Sequence, residues 1–309
     1  MHRFDDVSSA TQDRIRQIHG EGGARWLTGL ANRLVDLSGL WSLEIDETRM
    51  SSASLVARAT SSRHGAVILK LAIDEAAFSA ELAALEAFSG NAVVRLLEKA
   101  PIHHAMLLER VVPGEPLSAI ANRDTDEEPT RIAVGVFLEM QASARNGERS
   151  AALRDIGQEG LDAIRACRTA YRDGYQPIPA RTLAMAEGMI CELNPSEHEV
   201  SILHGDLHHD NILRSDRNSW LAIDPKGRVG DPASELAALI RNPIDELRHA
   251  ANLRRFLARR IDQLVDLTGY DRIRVHGWAL ALTVVAACWQ LEDREPGWEQ
   301  WLLVADALK

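Results

Sequence analysis

Within ten residues, HGDLHHDNIL (His204 to Leu213), the chain carries two acids, three histidines and an asparagine. Asp206 and Asn211 stand five positions apart, and a further acid, Asp224, ends the apolar run WLAID and is followed by Pro-Lys-Gly. A carboxylate can take or orient the proton of a hydroxyl. A second carboxylate and an amide oxygen are hard donors suited to a magnesium ion. Far upstream, Lys70 sits inside the apolar run AVILKL and offers an ammonium to a polyanion. Zinc bound by His204, His208, His209 and Asp210 is the competing chemistry. Adjacent His208 and His209 point apart in most backbones, and no HExxH pattern is present. His204 reads instead as a hydrogen-bonding brace for the loop, and His209 as a residue facing solvent.

Asp followed five residues later by Asn is the spacing of the kinase catalytic loop, and a Lys within a VAIK-type strand is the usual contact for the α- and β-phosphates. Phosphoryl transfer leaves the protein little covalent work, so positioning and charge neutralisation carry catalysis. In that scheme Asp206 is the base, Asn211 and Asp224 hold Mg²⁺, and Lys70 meets the phosphates of ATP. The pairing carboxylate for Lys70 is assigned to Glu81, on the following helix, in preference to Glu75 or Glu86. Ser52 and Ser54, in MSSASLVARAT, fall in the turn over the nucleotide. The backbone of Glu109 to Val111 forms the connector that meets the base.

The strings HGDLHHDNIL and IDPKGRVGDPASELA resemble the aminoglycoside phosphotransferase family, in particular its streptomycin 6-kinase and hydroxyurea-resistance kinase branch. The likeness runs from about Trp41 onward and is most specific between His204 and Leu236. It implies a protein-kinase-like fold, ATP as donor, magnesium as cofactor, and a hydroxyl of a small, cationic molecule such as streptomycin as acceptor. Two departures stand out. Ser51, Ser52, Ala53 and Ser54 replace the glycines usual in a phosphate-covering turn, and Ser234-Glu235 stands where the branch commonly has Tyr-Asp. They motivate a second reading, a nucleotide-binding, pseudokinase-like protein without transfer activity.

The elements that must position these groups are also written in the sequence. From Gln12 to Leu37 apolar residues recur at threes and fours, predicting helix, with Gly20, Gly22 and Gly23 as breaks. WSLEI, SLVARAT and AVILKLA read as strands. Asp74 opens a helix through Phe88, and VVRLLEK and HAMLLERVV supply two more strands. Beyond Pro113, Gly114 and Pro116 the pattern turns helical, apart from the segments around the catalytic loop. Arg123 to Glu128 reads as an exposed loop, and Asp231, before Pro232, as a helix cap. The fold class is therefore α+β and bilobal: residues 1–112 form a small lobe with an antiparallel sheet, and residues 113–309 a larger, mostly helical lobe.

The 309-residue chain, 46% apolar, is long enough to bury a large core. Its formal charge of −10 argues against a nucleic-acid partner and mildly favours cationic ligands. Cys167, Cys191 and Cys288 form no CxxC pair, which suits a reducing, cytoplasmic setting. The N-terminal MHRFDDVSSATQD lacks the apolar core of a signal peptide, and the run Trp278 to Leu291 is too short to span a bilayer, so it reads as a buried helix. Near the C-terminus Glu292, Asp293, Glu295 and Glu299 lie among Trp289, Trp298 and Trp301. They read as a solvated face, with a pocket for a guanidinium or ammonium group as the alternative.

Overall fold

The computed structural model describes residues 8–121, 126–144, 150–170, 176–193, 200–247, 250 and 252–309. The chain begins with helix α1 (Ser9–Trp41), kinked at Gly20, whose φ of 56° and ψ of −136° leave the helical region. Gly22 and Gly23 do not break it. Gly23 is instead a close-approach position, since a Cβ there would lie 2.7 Å from the Ile15 carbonyl oxygen.

Strands β1 (Leu43–Met50), β2 (Ser54–Ser61), β3 (Gly65–Ala72), β4 (Leu96–Ala100) and β5 (Ala105–Glu109) form one antiparallel sheet in the order β1-β2-β3-β5-β4. WSLEI is thus only partly strand: Trp41 closes α1, and β1 runs on to Met50. The alternation of side chains along a strand then divides the labour. Val67, Leu69 and Leu71 of β3 bury against Trp26, Leu30, Leu34 and Leu37 of α1 in one core. Ile68 and Lys70 therefore face the other way. In register with them across β2, Arg58 pairs with Ile68 and Val56 with Lys70. Helix α2 (Glu75–Phe88) packs on that second face, capped by Asp74, whose carboxylate accepts from the Ala77 N–H at 2.8 Å.

Beyond the sheet the structure is mostly helical, with two small sheets that carry the loops of interest. Strand β6 (Pro113–Pro116) pairs with β9 (Ile212–Ser215), itself paired with β10 (Ser219–Ala222). Strands β7 (Arg154–Asp155), β8 (Ser201–Leu203) and β11 (Arg228–Gly230) make the other sheet, in the order β7-β11-β8. The helices are α3 (Glu127–Ala144), α4 (Ile156–Ala170), α5 (Ala180–Leu193), α6 (Leu236–Ile240), α7 (Ile244–Leu247), α8 (Leu253–Thr268), α9 (Arg272–Glu292) and α10 (Glu299–Leu308). Helix α9 is apolar on nearly every face because α4, α5, α6, α8 and α10 surround it, and Trp278 within it is fully buried. Among the described residues no helix is long and apolar enough to cross a membrane.

Of the expected loop Arg123 to Glu128, residues 123–125 lie outside the described residues. Asp126 is not exposed but buried in an ion pair with Arg260, and Glu127 already opens α3. An ionised pair so enclosed holds because Arg260 also donates to the carbonyls of Leu239 and Ile240, at 3.0 and 3.1 Å.

Candidate active site

A cavity of about 500 Å³ lies between the N-terminal sheet and the helical region, lined on the sheet side by Ser54, Val56, Ile68 and Lys70. Lys70 is buried, and its ammonium donates to Glu81 Oε1 at 2.6 Å and to a carboxylate oxygen of Asp224. Burial disfavours the charged ammonium, but the carboxylates of Glu81 and Asp224 more than offset it and hold Lys70 protonated, above its ordinary range. Asp224 is half-buried, and although desolvation would raise its carboxyl, Lys70 and Lys226 keep it ionised, well below the usual carboxylate value. Lys226 Nζ meets the second Asp224 oxygen at 2.7 Å. Asp224 itself sits at φ 61°, a strained conformation for a non-glycine residue of the kind that clusters at functional sites.

Gly227 explains how this loop comes so close to α2. Its φ is +64°, and a Cβ there would fall 2.0 Å from the Ala80 carbonyl oxygen, one residue before Glu81. Only glycine permits that approach.

The loop between β8 and β9 carries Asp206 and Asn211. It is held from below by Glu235, whose carboxylate accepts from the Gly205 N–H at 2.9 Å and the Leu207 N–H at 3.4 Å. Burial pushes the Glu235 carboxyl up to about 7, against the pull of those N–H groups. His204 is fully buried, pairs through Nε2 with the Ile223 carbonyl at 2.8 Å and accepts from the Asp206 N–H at 3.3 Å. Burial lowers its pKa to about 4, so the ring is neutral at pH 7. His209, expected in solvent, is instead buried, because the short 3-10 turn His209–Asn211 tucks it inward. Among the described residues no three His, Cys, Asp or Glu side chains are arranged to hold a metal ion.

Asn211 lines the first cavity together with Asp224. Its Nδ2 donates to the Asp206 carbonyl at 3.0 Å, which commits the amide nitrogen and leaves the amide oxygen as the available ligand. One carboxylate and one amide oxygen on a shared cavity are a donor set that fits magnesium. Asp206 lies on a second cavity of about 440 Å³, with Arg228, Arg241, Trp289, Asp293, Glu295 and Trp301 among its walls. Asp293, Glu295 and the two tryptophans thus border a pocket as well as solvent, whereas Glu292, Glu299 and Trp298 are not part of it.

Of the remaining sequence-predicted positions, Ser54, Glu109 and Val111 line the first cavity, but Ser52 does not. Ser51 takes its place, its hydroxyl accepting from the N–H groups of Ala53 and Ser54, both at 3.2 Å. The Glu109 side chain turns away to Arg217, at 3.1 Å from Nε, and its N–H donates to the Arg95 carbonyl at 3.0 Å. The sequence alone assigned no site role to Gly227, Glu235 or Arg241. A glycine directly after Asp-Pro-Lys was a visible signal for the first, and Glu235 stood out only as a departure from the family pattern; nothing local marks Arg241. Asp231 caps the turn at Pro232 as expected, accepting from Ala233 N at 2.9 Å.

A family model described as aminoglycoside/hydroxyurea antibiotic resistance kinase matches residues 41–294. The chain is 30% identical over 275 residues to a streptomycin 6-kinase of Streptomyces glaucescens, covering 89% of this chain and 87% of that one. It is 29% identical to a hydroxyurea phosphotransferase of Kitasatospora aureofaciens, over 89% and 77% of the two chains. The fold is shared with an amicoumacin kinase solved with AMP-PNP, Ca²⁺ and its ligand Ami, with a TM-score of 0.63 at 12% identity, covering 91% of this chain and 94% of the other. The chain belongs to the aminoglycoside/hydroxyurea antibiotic resistance kinase family, and its architecture is the protein-kinase-like fold of such enzymes.

Proposed function

We propose that this family member transfers the γ-phosphate of ATP to a hydroxyl group of a small cationic molecule, an aminoglycoside such as streptomycin. The observation that carries this reading is the bridge from Glu81 through Lys70 to Asp224, on a cavity shared with Asn211 and adjoining the one that holds Asp206. Lys70 contacts the α- and β-phosphates, and Glu81 keeps its ammonium in place. Ser54 flanks the triphosphate, and the connector backbone from Glu109 to Val111 meets the base. Asn211 and Asp224 would hold Mg²⁺, which when bound neutralises phosphate charge. Asp206 orients the accepting hydroxyl and receives its proton as the new O–P bond forms and the bond from the γ-phosphorus to the β–γ bridging oxygen breaks, releasing ADP. Residues 1–112 act as the nucleotide lobe and 113–309 as the lobe that supplies the loop and the acceptor pocket, in a cytoplasmic setting.

A cationic acceptor is supported by Asp293 and Glu295 with Trp289 and Trp301 around the second cavity. Carboxylates pair with ammonium or guanidinium groups, and indole faces attract them. The relatives named for streptomycin and hydroxyurea supply the two acceptors to try first.

The test is ADP release with a panel of aminoglycosides, hydroxyurea and sugars, followed by mass spectrometry of the product. Asp206→Ala should lower turnover roughly 10²–10⁴-fold while nucleotide still binds; unchanged turnover refutes the assignment. A nucleotide-binding protein without transfer is the second reading, favoured by one observation. The Ser51 hydroxyl already occupies the N–H groups of Ala53 and Ser54, donors that an open glycine-rich turn would turn toward phosphate. Such a protein stays silent with every acceptor.

A further inference from the structure

The second cavity is lined by several charged groups, and most of them are answered by a neighbour. Arg154 Nη1 and Arg228 Nε both meet Glu159, at 3.0 and 2.5 Å. Lys226 is paired with Asp224 at 2.7 Å, and Glu295 with Arg14 at 3.5 Å. Arg241 differs. It is 7% exposed, and among the described residues its guanidinium has no ion pair within 4 Å and no side-chain hydrogen bond. Burial disfavours its charge; Asp206 and Glu235 attract it, while Arg228 repels it. Its backbone is fixed, because it closes the buried helix α6 with its N–H on the Ala237 carbonyl at 3.2 Å.

A guanidinium only donates, and it stays charged when buried. Removing it from water with nothing to accept its hydrogen bonds is costly, and buried charges are normally paired. Here Arg241 lines a cavity, so an incoming molecule can supply the acceptor. The same cavity presents Asp206, a carboxylate that only accepts. A ligand satisfying both needs one hydroxyl that donates to Asp206 and, beside it, an oxygen that accepts from Arg241. An amine in the second position would meet Arg241 as a like charge; cationic groups belong instead with Asp293 and Glu295 in the same cavity.

We propose that Arg241 is an acceptor-binding residue that grips an oxygen next to the phosphorylated hydroxyl, so that the substrate class is a 1,2-dioxygenated molecule, either a vicinal diol or a hydroxyl beside a carbonyl. The inference rests on the transfer reading above and sharpens it. Vicinal diols and hydroxy-carbonyl compounds share this chemistry, and sugars, cyclitols and hydroxyurea in the panel separate the two.

The experiment compares wild type with Arg241→Gln and Arg241→Lys on two acceptors: streptomycin, and a deoxy derivative lacking the hydroxyl adjacent to the phosphorylated one. Arg241→Gln should lower kcat/KM for streptomycin about 10²-fold or more, as for a lost polar contact in a site built to make it. It should leave the deoxy derivative and ATP affinity unchanged, with Arg241→Lys intermediate. Equal losses on both acceptors, or no loss on streptomycin, overturn the proposal. Should wild type phosphorylate only hydroxyurea, that acceptor replaces streptomycin, with a monofunctional alcohol as comparator. A wild type that phosphorylates nothing refutes the transfer reading alone. Calorimetric titration with inorganic phosphate then decides: heat in wild type that is lost in Arg241→Gln supports an oxygen-binding guanidinium, and identical titrations overturn it. If Arg241→Gln does not fold, Arg241→Lys serves in both arms.

Discussion

Replacing Gly227 with alanine tests how the Asp-Pro-Lys-Gly loop holds the nucleotide cavity together. The substitution carries two costs. At φ +64° an L side chain is strained by about 1–2 kcal/mol. The new Cβ would also fall 2.0 Å from the Ala80 oxygen and 2.3 Å from its carbonyl carbon, so loop or helix must retreat by about 1 Å to restore contact distance. Overpacking against backbone of this kind adds about 1–3 kcal/mol, for a total of roughly 2–5 kcal/mol. Because Ala80 precedes Glu81, the retreat moves the carboxylate that sits 2.6 Å from Lys70. A 1 Å misplacement at a phosphoryl-transfer site lowers turnover about 10²-fold. Gly65→Ala is the matched control: its φ is +71°, but nothing lies within 4 Å of the added Cβ, so only the backbone strain remains. Urea unfolding and ADP release on both variants give the answer. If Gly227→Ala tracks Gly65→Ala in stability and turnover, the close approach to α2 does not position the site.

Lys70→Met removes the ammonium from between two carboxylates, leaving Glu81 buried and unpaired. Stability should fall by about 3–5 kcal/mol, alongside weaker nucleotide binding, as read by urea and nucleotide titrations. Glu235→Ala orphans the Gly205 and Leu207 N–H groups at about 1–3 kcal/mol each, whereas Glu235→Gln keeps an acceptor oxygen and should retain most stability and turnover. His204 titrates near 4 in the folded protein against 6.5 unfolded. Its contribution is therefore complete above pH 6.5 and is lost as pH falls toward 4, by about 3 kcal/mol in all. Glu235, raised to about 7, acts with the opposite sign, its contribution being lost as pH rises from 4.5 to 7. The difference between wild type and His204→Gln, followed by thermal unfolding from pH 4 to 8, isolates the histidine; parallel curves would contradict its buried neutral state.

Much of the architecture was legible because it depends on local periodicity. AVILKLA was readable as a strand with Lys70 inside it, and the capping chemistry of Asp74 and Asp231 marked where helical segments begin. The residue types and spacing of Asp206, Asn211 and Asp224 stated a chemistry before any contact was known. Glu81 could be chosen over its neighbours by motif, and it is the one that reaches Lys70.

What the sequence could not carry were features that exist only between distant segments. Ser51 rather than Ser52 lines the cavity because the turn folds its hydroxyl onto its own N–H groups. His209 is buried because the turn before β9 rotates it inward, which no polarity pattern records. Arg241 reads as an ordinary charge after an apolar helix until α6 is seen to end at a cavity that Asp206 also lines. Hydrophobic and hydrogen-bonding periodicities are short-range properties of the polymer, so residue order alone fixes elements and candidate chemistry. Burial, charge pairing and the space left for a ligand are sums over groups brought together from remote positions, and only the tertiary structure decides them.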